Sequence, residues 1–184
     1  MILIFSAPSG SGKSTLVQHL LDTRQDVELS ISATTRAPRG QEQDGREYYF
    51  ITPERFEQLI QEDAFVEWQQ VYKGTYYGTL RSEIERIEGK GHHVIFDIDV
   101  KGGINVKKLF GDRARAIFIA PPSIEALRER LTKRGTDSPD KIEERLAKAE
   151  TEMADAPLFD TILVNDDLNA TKQALDKELE GFLN

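Results

Sequence analysis

A glycine-rich loop followed by a lysine carries the first chemical signal. Residues 6–15 read Ser-Ala-Pro-Ser-Gly-Ser-Gly-Lys-Ser-Thr, after the apolar run of residues 2–5 and before a helical pattern in Leu16, Val17, Leu20 and Leu21. Strand, small-residue loop, Gly-Lys-Ser and helix form the layout of a phosphate-binding P-loop. In that layout the backbone N–H groups of Ser9, Gly10, Ser11, Gly12, Lys13, Ser14 and Thr15 are the candidate cradle for nucleotide phosphates. The helix N-terminus adds partial positive charge, Lys13 a full one, and Ser14 an oxygen ligand for Mg²⁺. Gly-Lys-Ser/Thr alone arises by chance in roughly one chain in ten of this length, and with Gly10 required as well in under about one in a hundred. Ala7 stands where the usual pattern has its first glycine, which demands only that φ be negative there.

Asp97 ends a second apolar run, Val94-Ile-Phe. In P-loop proteins such an aspartate helps to hold the Mg²⁺ bound by the loop hydroxyl, so Ser14 and Asp97 are the candidate metal ligands. Arg36 and Arg39 lie three apart in the loop Thr-Thr-Arg-Ala-Pro-Arg. Fixed by Pro38, they can fork onto one phosphate. Tyr48 and Tyr77 can add neutral donors. Taken singly, each arginine reads as a solvated loop charge and each tyrosine as a half-buried strand residue.

A further group comprises Arg130, Arg134 and Arg145. The first two are four apart on one helical face, where like charges repel by roughly 0.2–0.5 kcal/mol. None has a carboxylate three or four residues away within its helix, because Glu129 faces Lys133 and Glu144 faces Lys148. Left without local partners, the three arginines suit an external anion, with the loop of residues 135–139 acting as a lid.

The elements that must position these groups alternate. Strands are expected at residues 2–5, 27–31, 46–51, 65–72, 94–99, 116–120 and 161–164. Helices are expected after the P-loop and at 53–62, 79–88, 106–110, 124–134, 139–154 and 170–182. Alternating β and α with buried strands gives an α/β fold with a parallel sheet flanked by helices. Successive strands between residues 33 and 92 break that rhythm and mark an inserted mixed α/β subdomain. The core is then residues 1–32 and 93–184, with a small helical lid at 134–146. A length of 184 residues is one domain with such an insert, and 39% hydrophobic with 30% charged residues is a globular composition. A net charge of −8 argues against a nucleic-acid partner, and the absence of cysteine excludes a disulfide framework, a cysteine zinc site and a thiol nucleophile. The short apolar start lacks the basic region of a signal peptide, and no run approaches membrane-spanning length. The expected location is the cytoplasm, with no membrane partner. Oligomeric state is not legible.

Eight motifs in order make the chain resemble the guanylate kinases: Ser-x-Pro-Ser-Gly-x-Gly-Lys-Ser, Ser-x-Ser-x-Thr-Thr-Arg-x-Pro-Arg, Gly-x-x-Tyr-x-Phe, Phe-Val-Glu-Trp, Tyr-Tyr-Gly-Thr, Asp-Ile-Asp-Val-x-Gly, Arg-Gly-Thr and Val-Asn-Asp-Asp-Leu. The resemblance covers nearly the whole chain. It implies transfer of the ATP γ-phosphoryl group to GMP, with Mg²⁺ as cofactor and dGMP left open as a substrate. It implies that Lys13, Arg36, Arg130, Arg134 and Arg145 serve catalysis. It assigns the GMP phosphate to Arg36, Arg39, Tyr48 and Tyr77, and guanine to Ser32, Glu67, Thr79 and Asp99. A carboxylate can accept from guanine N1–H and N2–H₂ together, and a hydroxyl can donate to O6. Thr79 stands where many family members have serine, and Lys101 where glutamine is more usual. A dianionic phosphate is already a nucleophile, so this chemistry needs no general base, and His19, His92 and His93 are read as surface and turn residues. The alternatives are a kinase of other base specificity and a non-catalytic binding module of the same fold.

Overall fold

The computed structural model describes residues 1–72 and 74–183. Asn184, the end of the expected core segment, lies outside the described residues. The chain divides into two compact units, Met1–Gln25 with Ile95–Asn184, and Asp26–Val94.

The first unit is built on strands that are apolar throughout. β1 (Ile2–Ser6) is buried at every position. β8 (Ala114–Ala120) is buried at all but Arg115. Such strands suit the middle of a parallel sheet covered on both faces. β1 pairs in parallel with β8, Ile2 opposite Ala114, and β8 pairs in parallel with β9 (Thr161–Val164), Ile117 opposite Thr161. β7 (His93–Asp97) lies on the other side of β1, giving the order β7-β1-β8-β9, and β2 (Val27–Leu29) falls within the bounds of the second unit. Helices α1 (Lys13–Thr23), α4 (Val100–Phe110) and α7 (Leu168–Leu183) belong to this unit. So do α5 (Ile124–Arg134) and α6 (Pro139–Ala154), which pack through Leu127, Leu131, Ile142, Leu146 and Ala149. Ser123 caps α5 by accepting from the Ala126 N–H, as its sequence position predicts.

The second unit carries a four-stranded mixed sheet in the order β4-β3-β6-β5. Its strands are β3 (Ala33–Thr34), β4 (Tyr49–Phe50), β5 (Phe65–Tyr72) and β6 (Thr75–Leu80). β3 runs parallel to β4 and antiparallel to β6. α2 (Pro53–Gln61) covers it, with Phe56 stacked on Phe65 at 4.3 Å and on Tyr76 at 5.2 Å between ring centroids. α3 (Arg81–Glu88) follows β6.

Several boundaries depart from expectation for identifiable reasons. The expected strand at 27–31 stops at Leu29, because the Ile31 N–H bonds to the buried carboxylate of Glu83 instead of a neighbouring strand. The expected strand at 46–51 shrinks to Tyr49–Phe50, since residues 43–47 fold into a turn closed by Arg46 and Glu47 N–H to Gln43 C=O. The helix expected from 79 begins at Arg81, because Thr79 and Leu80 are still paired with Glu67 and Phe65 in the sheet. α4 starts six residues earlier than expected. Asp99 caps it, accepting from the Gly102 N–H at 2.8 Å, and the glycines that read as a break are packing residues. A Cβ on Gly103 would lie 2.5 Å from Ser6 Oγ, so only glycine lets the helix approach β1 so closely.

Candidate active site

In the first unit the site begins where β1 ends. Gly10 and Gly12 adopt φ of +95° and +93°, a conformation that side chains rarely take, and Ala7 does not. The turn is closed by Ser11 N–H to Pro8 C=O. Gly12 is the N-cap of α1 and offers no side chain to the first-turn donors, nor does that turn contain an acid. The helix therefore presents its N–H groups and partial positive charge uncompensated, as an anion site requires.

Asn165, at the end of β9, is the brace of this loop. Its Nδ2 donates to Ser11 C=O at 2.8 Å, and a Cβ on Gly12 would collide with that amide. The Asn165 carbonyl accepts from Arg130 Nη2 at 2.7 Å. Loop, strand end and α5 are thus tied in one chain of hydrogen bonds.

Lys13 lies against the Asp97 carboxylate, both mostly buried. Burial pushes its ammonium down from 10.5 to about 8, against the pull of the Asp99 and Glu152 carboxylates. Glu152 on α6 is half-buried and shifted up, chiefly by that burial. Ser14 is exposed on the first turn of α1. One hydroxyl and one carboxylate are hard oxygen donors of the kind Mg²⁺ takes while keeping waters and phosphate oxygens in its other positions. The described residues contain no cluster of three or more His, Cys, Asp or Glu that could cage a metal.

Arg145, on α6, donates to Ser9 Oγ and through Nη2 to Asp137 at 3.1 Å. Arg134 is exposed and makes no described hydrogen bond or ion pair. The expectation that all three arginines lack partners is therefore corrected: Arg130 has a backbone carbonyl and Arg145 a carboxylate. Those partners come from another strand and from the loop before α6, which same-helix spacing does not see. Lys148 pairs at 3.5 Å with Glu152, four residues on in the same helix, rather than with Glu144. Arg145 retains capacity for an anion, since its buried Nε has no acceptor among the described residues.

The second unit holds two groups on one sheet. In the first, Arg36 Nε donates to Tyr77 Oη at 3.0 Å, and its guanidinium lies over the Tyr48 ring at 4.9 Å. Tyr48 and Tyr77 meet edge to face at 5.8 Å. Arg39 is exposed. The second group is a polar relay in which Thr79 Oγ1 donates to Glu67 Oε1 at 3.0 Å and stands 3.4 Å from Ser32 Oγ. Thr79 is fully buried, while Trp68, next to Glu67, faces outward at 46% exposure. A bulge between Phe65 and Glu67 builds this relay. Phe65 pairs with Leu80 and Glu67 with Thr79, so Val66 is the extra residue and the carboxylate faces Thr79. Gly78 makes room, since a Cβ there would lie 2.8 Å from both the Glu67 carbonyl and the Trp68 Cβ.

A family model for guanylate kinase matches residues 1–181. The chain belongs to the guanylate kinase family. It is 54% identical over 183 residues to a guanylate kinase of Bacteroides thetaiotaomicron, covering 100% of this chain and 90% of that one. It is also 54% identical to a guanylate kinase of Porphyromonas gingivalis, covering 99% and 97%. The crystal structure of guanylate kinase from Anaplasma phagocytophilum superposes with a TM-score of 0.74 at 29% identity, covering 98% of this chain and 85% of that one. The chain is thus an enzyme, a nucleoside monophosphate kinase with guanylate kinase activity. Neither a non-catalytic module nor another base specificity has support beside these relatives.

Among the expected guanylate kinase site residues, Ser9 to Thr15, Asp97, Asp99, Arg130, Arg134 and Arg145 fall in the first unit. Ser32, Arg36, Arg39, Tyr48, Glu67, Tyr77 and Thr79 fall in the second. Asn165, Asp137, Glu152 and Glu42 carry no signal of their own in the sequence. Asn165 lies inside the Val-Asn-Asp-Asp-Leu motif, and that motif's place directly after a short strand is what could have singled it out.

Proposed function

We propose that the enzyme transfers the γ-phosphoryl group of ATP to the phosphate of GMP, giving ADP and GDP. In this reading the N–H groups from Ser9 to Thr15 and the Lys13 ammonium bind ATP phosphates. Ser14 and Asp97 hold Mg²⁺, which supplies charge neutralisation on the phosphate oxygens when bound. Arg36, Arg39, Tyr48 and Tyr77 take the GMP phosphate, and Ser32, Glu67, Thr79 and Asp99 the guanine edge. The single observation that carries the base assignment is the hydrogen bond from buried Thr79 to Glu67. It orients the carboxylate, an anionic acceptor whose chemistry suits a ligand with two adjacent donors. Guanine has such an edge, and adenine presents the opposite polarity.

The GMP phosphate is mostly dianionic at pH 7 and attacks without help from a base. What the residues must supply is in-line positioning and stabilisation of the charge spread over the transferred group. Lys13 sits at the loop that would hold the donor phosphates. Arg130, Arg134 and Arg145 lie on α5 and α6, and residues 134–146 act as the lid that brings them in and excludes water. Residues 33–92 are read as the GMP-binding subdomain and residues 1–32 and 93–184 as the core. Among the described residues no helix is long and apolar enough to cross a membrane. A cytoplasmic location follows from the nucleotide substrates.

The test is ADP release, coupled to NADH oxidation, with Mg·ATP and each of GMP, dGMP, AMP, dTMP and UMP. GMP is expected to exceed AMP in kcat/KM by about 10⁴-fold, the discrimination available to a site built to bond one polar edge. Equal turnover of AMP would overturn the guanine assignment.

A further inference from the structure

Arg36 has more bound to it than the proposed site uses. Its Nη1 donates to Glu42 Oε2 at 2.6 Å and to Ala37 C=O at 3.0 Å, and its Nη2 donates to Glu42 Oε1 at 2.8 Å. Glu42 Oε2 also accepts from the Arg39 backbone N–H at 2.8 Å. One carboxylate therefore grips the side chain of the first loop arginine and the main chain of the second. The loop around it is a turn, with Glu42 N–H bonded to Arg39 C=O and Gly40 at φ +59°. The Tyr48 and Phe50 rings lie under the guanidinium at 4.9 and 5.6 Å. The Arg36 side chain is 11% exposed and Glu42 23%.

The edge that Glu42 uses decides what it does. A guanidinium has two bidentate edges, Nη1/Nη2 at its end and Nε/Nη2 along its side. Glu42 takes the end. On the side edge, Nε–H is given to Tyr77 Oη, whose own proton remains to be donated. The second Nη2–H points along the same edge and is the one N–H of Arg36 without an acceptor among the described residues. Two donors, Arg36 Nη2–H and Tyr77 O–H, thus lie side by side while Glu42 stays in place.

We propose that Glu42 is a positioning residue, holding Arg36 and the Arg39 backbone in the one geometry that presents Nη2–H and the Tyr77 hydroxyl together to the phosphate of GMP. The proposal rests on the reading of Arg36 as a ligand of that phosphate. An arginine left free has a long, flexible stem and loses rotamer entropy on binding, so a bound carboxylate that fixes it beforehand lowers the cost of capturing the nucleotide. Arg36 holds the Glu42 carboxyl down at about 2, with the Arg39 N–H adding to it, so the clamp stays ionised through the working range of pH.

The experiment is steady-state kinetics and nucleoside binding on the full chain for wild type, Glu42→Gln, Glu42→Ala, Arg36→Ala and the double variant Arg36→Ala/Glu42→Ala. Loss of a charge-assisted clamp is expected to raise the KM for GMP by about tenfold or more in Glu42→Ala, with a smaller rise in Glu42→Gln, which keeps one acceptor. Because the contact is made equally in ground and transition states, kcat should stay within a few fold. The inhibition constant of guanosine, which has the base but no phosphate, should not move. Most of the Glu42→Ala effect should vanish when Arg36 is already alanine. A KM for GMP that falls in Glu42→Ala would overturn the proposal, since Glu42 would then compete with the phosphate. So would an unchanged KM beside a raised one in Arg36→Ala, which leaves the site reading standing. A guanosine constant that rises in parallel would make Glu42 a support of the fold alone. If Arg36→Ala itself leaves the KM for GMP unchanged, the phosphate assignment of Arg36 fails and the proposal with it.

Discussion

With Lys13 meeting the ATP phosphates as proposed, affinity for ATP should fall as pH rises. In the nucleotide-free enzyme burial holds its ammonium at about 8, below the ordinary 10.5. Phosphates at the P-loop favour the charged form and raise the value to 10.5 or above. Binding therefore takes up a proton wherever free Lys13 is deprotonated, and affinity is full below pH 8 and lost as pH rises from 8 towards 10.5. The loss approaches a factor of ten per pH unit, so about tenfold at pH 9. For a bound value of 10.5 the loss levels off at roughly 3.4 kcal/mol, or about 300-fold. Isothermal titration of Mg·ATP between pH 6.5 and 9.5, in buffers of different ionisation enthalpy, reads both the constant and the proton uptake. About half a proton should be taken up at pH 8. Lys13→Arg, which cannot deprotonate in this range, should bind with a flat profile. A wild type that binds equally at pH 7 and 9.5 with no proton uptake would refute the reasoning, because Lys13 would then keep its ordinary pKa or not meet the phosphates.

Glu67→Gln should lower kcat/KM for GMP by about 10- to 100-fold, the loss of a hydrogen bond to a charged acceptor, and narrow the ratio of GMP to AMP. Thr79 will keep the amide oxygen, turning the NH₂ towards the guanine donors, and an unmoved ratio would remove Glu67 from base reading. Arg134→Ala and Arg145→Ala should each lower kcat more than they raise the KM for GMP, by about 10-fold or more if they meet only the transferred group; a raised KM with unchanged kcat would make them ground-state contacts. Gly78→Ala should destabilise the fold by about 1–3 kcal/mol in urea denaturation, because the added methyl meets a backbone carbonyl that cannot move alone; a midpoint within error of wild type would mean that β5 and β6 separate freely there.

Much of the protein was written locally in its sequence. The P-loop motif lies within fifteen residues, and a strand, two glycines and a helix start set the directions of its backbone donors, with Asn165 from the end of β9 bracing it from outside. The α/β alternation, the buried strands and the Ser123 cap are local in the same sense. The tertiary structure decided what crosses the chain. Same-helix spacing left Arg130 and Arg145 unpaired, but a carbonyl at the end of β9 and a loop carboxylate partner them. Alternation along β5 cannot tell whether Val66 or Glu67 faces Thr79; the bulge does, and it depends on the pairing with β6. Glu42 reads as one more acid in an acidic loop until the turn folds it back onto Arg36. A side chain's partner is set by where other segments pass, and period and spacing report only the neighbours that one segment brings to itself.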